Sequence, residues 1–201
     1  KKPLREFTEK ERELWRILSS PKEDWSEGVC AGATINDLDP DAIHFAREEY
    51  LKKIKGDSRK QLLAEEVPAW DDEEFLNRAR ICKNGQVTRT AILLLGKNES
   101  THFLSPAVAH ITWVLKDEHG IQQDYAHFGP PFILAVGQVF DRVRNLTYRY
   151  MPDATLFPVE ISQYDPWVTR ELLHNCIAHQ NYSQQGRINV VEQPHALLFT
   201  N

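Results

Sequence analysis

Apolar residues recur along much of the chain at the three- and four-residue spacing of amphipathic helices. Most of these segments begin at a residue whose side chain can accept a hydrogen bond from a free backbone N–H of the first turn, or at a proline, which has no N–H to leave unpaired. The predicted helices begin at or beside Thr8, Asp39-Pro40, Asp71, Thr88, Pro131 and Pro166. The run from Ala91 to Leu95, closed by Gly96, is apolar on all sides, so its pattern also allows a buried strand.

Alternating segments predict strands between these helices. Residues 109–115 and 122–128 flank a turn and predict a hairpin, and residues 187–192 and 196–200 predict a second hairpin around Gln193-Pro194. Residues 156–161 also read as a strand, and Pro158 favours a sheet edge for it. Ser19 to Gly32 is rich in Pro, Gly and charge and predicts a linker anchored by Trp25. The mixture predicts an α+β fold, with mixed sheets and packed helices.

Composition excludes several classes of protein. With 41% hydrophobic and 26% charged residues, the chain can bury a sizeable core, and its net charge of −5 gives no general attraction to nucleic acid or anionic membranes. Cys30, Cys82 and Cys176 are odd in number and far apart, which argues against a disulfide framework or a zinc ribbon and favours reduced thiols in the cytoplasm. No apolar stretch approaches the roughly 18 residues of a membrane span, and the first six residues do not form a signal peptide.

The helix beginning at Pro166 carries the main candidate chemistry. Glu171, Asn175 and His179 are four residues apart, so they form one polar ridge. A carboxylate can orient or deprotonate a water, and an amide oxygen one turn away is a ligand that suits Mg²⁺. Spacing alone favours the plainer interpretation, in which the ridge is the solvated face of an amphipathic helix.

A second candidate is the cationic stretch from Arg142 to Tyr150. Its arginines, interleaved with tyrosines, could contact a phosphate backbone. The alternative is an outward helix face followed by a strand, with the arginines balanced by Asp141 and Asp153. That alternative is favoured.

The residues around the ridge resemble a known family signature. The segment from Trp167 to Ser183, WVTRELLHNCIAHQNYS, is similar to the R-E-x-L-x-N-A-hydrophobic-x-H-R-D-Y-S signature of bacterial transcriptional regulators and RecG-related ATP-dependent DNA helicases. Gly85 to Lys97 is similar to a further segment of that family, and residues 149–152, 157–160 and 187–191 follow in the same order. The resemblance covers most of residues 35–201. These proteins join an N-terminal Schlafen-type Alba-like DNA-binding domain to a C-terminal domain similar to the gyrase, Hsp90, histidine kinase and MutL (GHKL) ATPases.

The resemblance implies ATP and Mg²⁺ as cofactors. Glu171 would be the catalytic residue that orients the attacking water, and Asn175 the amide that binds Mg²⁺. His179 and Asn201 would also contact the cofactor, Asn201 lying where the first glycine-containing nucleotide loop would begin. DNA would bind through the missing N-terminal domain, and a homodimer is a further expected partner. The chain departs from the signature at Cys176, usually Ala, and at Gln180 and Asn181, usually Arg and Asp.

The resemblance also implies a domain organisation for an internal fragment of a larger regulator. Residues 1–32 would be the helix and linker that end an upstream domain, 33–150 a middle α+β domain, and 151–201 the first part of a GHKL-like two-layer α/β sandwich. Because both glycine loops are absent, we expect this segment alone to be a poor ATPase. The rival hypothesis is a non-catalytic sensor or dimerisation module that retains only the ATPase-like fold.

Overall fold

A computed structural model describes residues 8–19, 24–153 and 156–201. Within these ranges the chain adopts an α+β fold of seven helices and eight strands, joined in places by short 3₁₀ segments. The helices are α1 Thr8–Ser19, α2 Pro40–Lys55, α3 Gln61–Glu66, α4 Asp72–Arg78, α5 Arg89–Leu95, α6 Phe132–Arg142 and α7 Pro166–His179. The strands are β1 Cys82–Lys83, β2 Gln86–Val87, β3 Ile111–Lys116, β4 Gln122–Phe128, β5 Thr147–Tyr150, β6 Val159–Ser162, β7 Ile188–Gln193 and β8 Ala196–Thr200. None of the helices in these ranges is long and apolar enough to cross a membrane.

The predicted helix starts are confirmed, and several carry the expected caps. The Asp39 carboxylate accepts from the backbone N–H groups that open α2, and Asp71 accepts from the N–H of Glu74 at 2.8 Å. Each cap satisfies donors that have no partner within the helix. The side chains of Leu14 and Leu18, expected to form the apolar stripe of α1, lie outside the described residues, as do linker residues 20–23.

The ambiguous run at residues 91–95 is helical. Thr88 caps it, because its hydroxyl accepts from the N–H of Ala91 at 3.2 Å. The run is apolar all round because α5 is central: Ala91, Ile92 and Leu95 are completely buried. Gly96 follows with an extended backbone (φ −68°, ψ 144°), so it does not end the helix in the left-handed conformation typical of glycine. Glycine is needed there because a Cβ would overlap the backbone of Ile92.

Four strands form one mixed sheet in the order β4-β3-β7-β8. Both predicted hairpins are confirmed, as the antiparallel pairs β3/β4 and β7/β8. Strands β3 and β7 are parallel, with Ile111 opposite Ile188 and Trp113 opposite Val190. These four side chains are buried and share one face, since alternate residues of a strand point the same way. The sheet therefore covers the core with one face.

The strand predicted at residues 156–161 begins later, at Val159, directly after Pro158. It pairs with β5 in a separate two-stranded ribbon and does not join an edge of the main sheet. The shift follows from the proline, which has no N–H to donate to a strand ladder.

A hydrophobic cluster of buried residues runs from Cys30 to Val190 in β7. The main sheet takes strands from both sides of residue 150, so residues 111–128 and 188–200 share a sheet. The domain boundaries that the resemblance implies for this chain, at residues 32 and 150, stay a prediction. Trp25 packs against this cluster as an anchor, with its ring stacked 5.2 Å from that of Tyr182.

Candidate functional site

Helix α7 is held in place at its start by Asp165. Its carboxylate accepts from the N–H groups of Trp167 and Val168 at 2.8 and 3.1 Å, and its carbonyl accepts from the Thr169 hydroxyl at 2.9 Å. Pro166 occupies the first helical position, where a missing N–H costs no hydrogen bond. The start of the helix is therefore specified by local sequence.

A buried stripe fixes the rotation of α7 about its axis. Thr169, Leu173 and Ile177 are spaced by four residues and are at most 8% exposed. Next to this stripe, the Arg170 guanidinium lies over the Phe140 ring of α6, 5.0 Å from its centroid. A helix anchored on one side presents the other side to solvent.

The predicted ridge of Glu171, Asn175 and His179 lies on that solvent side, and all three residues are exposed. The Asn175 side-chain N–H donates to Glu171 Oε1 at 3.5 Å, which is long for a hydrogen bond. The structure thus brings the carboxylate and the amide of the predicted site together. Because the amide nitrogen faces Glu171, its oxygen remains as a possible metal ligand.

Asn201 also reaches this helix. Its side-chain N–H donates to the backbone carbonyl of Cys176 at 3.4 Å. Carbonyls in the last turn of a helix have no partner within it, so Asn201 satisfies one of them. The end of β8 is thereby placed beside the residue that follows Asn175.

The three positions that depart from the signature differ in burial: Gln180 is buried, Cys176 is partly buried and Asn181 is exposed. Gln180 is buried, and its Oε1 is the one buried side-chain polar atom in the described residues that has no hydrogen-bond partner. The Gln180 amide lies so close to Gly186 that a Cβ added at position 186 would overlap it. Asn181 accepts from the Ser183 hydroxyl at 2.6 Å. The difference from Arg at position 180 therefore affects the interior and leaves the ridge unchanged.

Electrostatically the ridge is dominated by Glu171. Partial burial, with Arg170 nearby, lowers the pKa of His174 against the opposing effect of Glu171, so this imidazole is neutral at pH 7. Burial likewise raises the pKa of the Cys176 thiol. Neither neighbour adds a charge at neutral pH.

The donor set fits Mg²⁺ only in part. Across the described ranges, no group of three His, Cys, Asp or Glu side chains is placed to hold a metal ion. Mg²⁺ commonly takes one or two protein oxygens and completes its shell with waters and substrate phosphates. Glu171 and Asn175 fit such a shared site, and they do not fit a metal site built from protein alone.

The cationic stretch from Arg142 to Tyr150 is neutralised by carboxylates. These are not the predicted Asp141 and Asp153: the closest approaches are 2.6 Å for Arg142 to Asp124, 2.7 Å for Arg144 to Glu192 and 2.9 Å for Arg149 to Glu160. The Arg142 guanidinium also lies over the Trp113 ring at 5.0 Å. Arginines engaged in this way form no open basic surface for a phosphate backbone.

The structure adds a cavity that sequence reasoning missed. It has a volume of about 370 Å³ and lies where the parallel strands β3 and β7 end, lined by Leu115, Arg144, Tyr164 and Glu192 among others. The Glu192 side chain is only 4% exposed and accepts from the Trp113 indole at 3.2 Å as well as from Arg144. The signal was present: Glu192 follows Ile188 and Val190 at the period of two that marks a buried strand face.

This chain is similar to a protein family of unknown function and to a solved structure. A family described as a domain of unknown function, DUF8451, matches residues 15–111, a range that ends before α7. No curated protein matches the chain. The crystal structure of the DIP2311 protein from Corynebacterium diphtheriae is similar, with a TM-score of 0.59 and 17% identity over 89% of this chain and 33% of that chain. The chain spans a third of that protein, and the likeness concerns the fold alone.

Proposed function

We propose that this chain is part of a cytoplasmic bacterial regulator from a helicase-related family. In this proposal α7 forms one side of a GHKL-type ATP site. The observation that carries the proposal is the exposed ridge of α7, where Glu171 and Asn175 lie in contact. The placement of Asn201 against the same helix supports it. DNA binding belongs to the parent protein's N-terminal domain, outside this segment.

Each ridge residue has a distinct role in this proposal. Glu171 orients the attacking water and accepts its proton, which requires a carboxylate that solvent can reach. The Asn175 amide oxygen holds Mg²⁺, and the bound ion supplies charge neutralisation for the phosphates of ATP. His179 lines the cofactor site one turn further along. Asn201 holds the start of the nucleotide loop against the helix.

Substitutions in the full-length protein test these roles. We expect Glu171→Gln to lower ATP turnover, measured by phosphate release, by about 100-fold or more, because the general base is lost. Binding of Mg·ATP, measured by calorimetry, stays unchanged in that variant. Asn175→Ala weakens nucleotide binding in the presence of Mg²⁺ and leaves the weaker metal-free binding unaffected.

The matched control is Glu65→Gln on α3, which removes an exposed helical carboxylate away from the ridge. It should leave turnover unchanged. If Glu171→Gln hydrolyses ATP at the wild-type rate, the catalytic assignment is wrong, and if Asn175→Ala keeps full Mg²⁺ dependence, the metal assignment is wrong.

The cavity beside Glu192 favours one alternative, a non-catalytic sensor that retains only the fold. A volume of about 370 Å³ lies within the range of small-molecule sites, roughly 300–1,000 Å³. Under this alternative the wild-type protein shows no turnover, and Glu171→Gln changes nothing. Variants of the cavity residue Tyr164 would then impair the response of the regulator to its effector, whereas variants of the α7 ridge would not.

A further inference from the structure

The cavity at the ends of β3 and β7 has walls that are fastened to one another. Two of the segments that line it come just before β5 and just after β6. The Gln163 N–H donates to the carbonyl of Leu146 at 2.7 Å, and the Asn145 side chain bonds both backbone groups of Tyr164, at 2.8 and 2.9 Å. Hydrogen bonds therefore maintain the shape of this cavity.

Arg144 and Tyr164 give the cavity hydrogen-bond donors that the protein leaves unused. Arg144 Nε donates to Glu192 at 2.7 Å, whereas its two Nη groups have no hydrogen-bond partner within the described ranges. The Tyr164 hydroxyl accepts from the Gln163 amide at 3.1 Å, so its own proton is free to donate. Partial burial, with the charge of Glu192 nearby, raises the pKa of Tyr164, so this hydroxyl stays protonated. A guanidinium edge and a hydroxyl are donors that suit the two oxygens of a carboxylate.

The burial of Glu192 indicates that Arg144 is held for a purpose other than stability. Position 192 continues the buried strand face of Ile188 and Val190, so an aliphatic side chain would fit the pattern there. A buried ion pair commonly stabilises a protein no more than such an apolar group does. What the carboxylate provides is a fixed position for an arginine that is otherwise exposed, and that position is at the cavity.

The cavity also carries negative charge that no cation neutralises. The Asp117 carboxylate accepts only from neutral donors, which are two backbone N–H groups and the Gln123 amide. Neither Asp117 nor the adjacent Glu118 lies within ion-pair distance of a cation among the described residues. Both also line an adjoining cavity of about 640 Å³, which Arg144 and Tyr164 do not line. The two carboxylates therefore lie where the cavities meet, and the unused donors lie in the first cavity only.

We infer that this cavity binds a small zwitterion of the amino-acid class. The ligand's carboxylate accepts from Arg144 Nη and the Tyr164 hydroxyl, and its ammonium group donates to Glu118 in the field of Asp117. The ligand's apolar side chain lies against Leu115. This inference does not rest on the nucleotide site proposed for α7.

The charges of the wall select this class of ligand. The charged residues that line the cavity are two cations, Lys116 and Arg144, and three carboxylates, Asp117, Glu118 and Glu192. A simple anion is repelled by that excess of negative charge, and a simple cation leaves the Arg144 and Tyr164 donors unused. A molecule with both groups satisfies both ends. A volume of about 370 Å³ is at the small end of ligand sites, which suits a molecule of this size.

Three probes of the same shape test the inference on the whole chain at pH 7 and constant ionic strength. Leucine carries both charged groups, 4-methylpentanoate lacks the ammonium group, and 3-methylbutylamine lacks the carboxylate. Saturation-transfer NMR and calorimetry measure their affinities. We expect leucine to bind with a Kd of about 1 mM or tighter, and each of the other two to bind at least about tenfold more weakly.

Two conservative variants assign the two ends of the ligand. Tyr164→Phe removes only a hydroxyl and should weaken leucine and 4-methylpentanoate about tenfold, without changing the affinity of 3-methylbutylamine. Glu118→Gln removes only a charge and should weaken leucine and 3-methylbutylamine about threefold, without changing the affinity of 4-methylpentanoate. Proton NMR spectra confirm that both variants are folded.

The matched controls are Tyr125→Phe and Glu65→Gln, which make the same chemical changes at exposed residues outside the cavity. Both should bind leucine as the wild type does. The inference is overturned if leucine shows no binding at about 10 mM, if either single-charge probe binds as tightly as leucine, or if Tyr164→Phe keeps wild-type affinity for leucine. None of these measurements depends on ATP turnover, so they are separate from the test of Glu171.

Discussion

Glu192 provides the sharpest test of how this structure holds a charge in its interior. Its carboxylate lies on the buried face of β7 and accepts three hydrogen bonds, from the Trp113 indole at 3.2 Å, the Arg144 backbone N–H at 3.3 Å and Arg144 Nε at 2.7 Å. The Glu192 side chain is 4% exposed, whereas that of Arg144 is 58% exposed. The buried carboxylate therefore relies on these three donors to replace its lost hydration. The exposed guanidinium keeps most of its hydration and relies much less on the carboxylate.

Arg144→Ala removes the cation and leaves the indole and the backbone N–H. Removing one partner of a fully buried ion pair costs about 3–5 kcal/mol, because the other charge is left uncompensated. Here solvent reaches the arginine and can replace part of its effect, so we expect the free energy of unfolding to fall by about 1–3 kcal/mol. In a Glu192→Gln background the same substitution should cost less than about 1 kcal/mol, because no buried charge is stranded.

Urea denaturation of the four members of this double-mutant cycle measures the coupling, which we expect to be about 1–2 kcal/mol. Arg149→Ala is the matched control: it breaks an ion pair of similar length, 2.9 Å, whose side chains are 75% and 57% exposed. That variant should lose less than about 1 kcal/mol. An Arg144→Ala variant that loses no more stability than Arg149→Ala, or that loses the same amount in both backgrounds, would show that Arg144 does not compensate a buried Glu192 charge.

Three further predictions concern other parts of the fold. Gly186→Ala should lower the free energy of unfolding by about 1–3 kcal/mol through overlap with the buried Gln180, and a Gly186→Ala/Gln180→Ala double variant should recover part of that loss in urea titrations. Trp25→Ala should cost about 2 kcal/mol through the lost ring stack and partial burial, against almost nothing for the 71% exposed Trp167→Ala; equal costs would contradict the anchor role. Partial desolvation, together with the charges of His127 and Arg187, lowers the pKa of His110 below its usual 6.5, so the unfolded chain takes up its proton first and stability falls as pH drops below that value. Between about pH 7.5 and 5.5 the wild type should therefore lose more stability than His110→Gln, and equal losses would contradict the shift.

The sequence by itself determined the elements that depend on near neighbours. Caps such as Asp39, Asp71 and Thr88 act on N–H groups two or three residues away, so their pattern was sufficient to predict the helix starts. The same holds for the two hairpins. The exposed ridge of α7 was also predictable, because four-residue spacing sets both the ridge of Glu171 and Asn175 and the buried stripe behind it.

Only the tertiary structure decided what depends on residues far apart in the chain. Arg144 finds Glu192 48 residues away, and Trp25 reaches Tyr182 across the molecule, and neither contact leaves a local pattern. Gln180 stands where the family signature usually has Arg, and the fold places it inside the protein against Gly186. The separate ribbon could not be foreseen, because alternation reports which side chains share a face and does not report which sheet the strand joins.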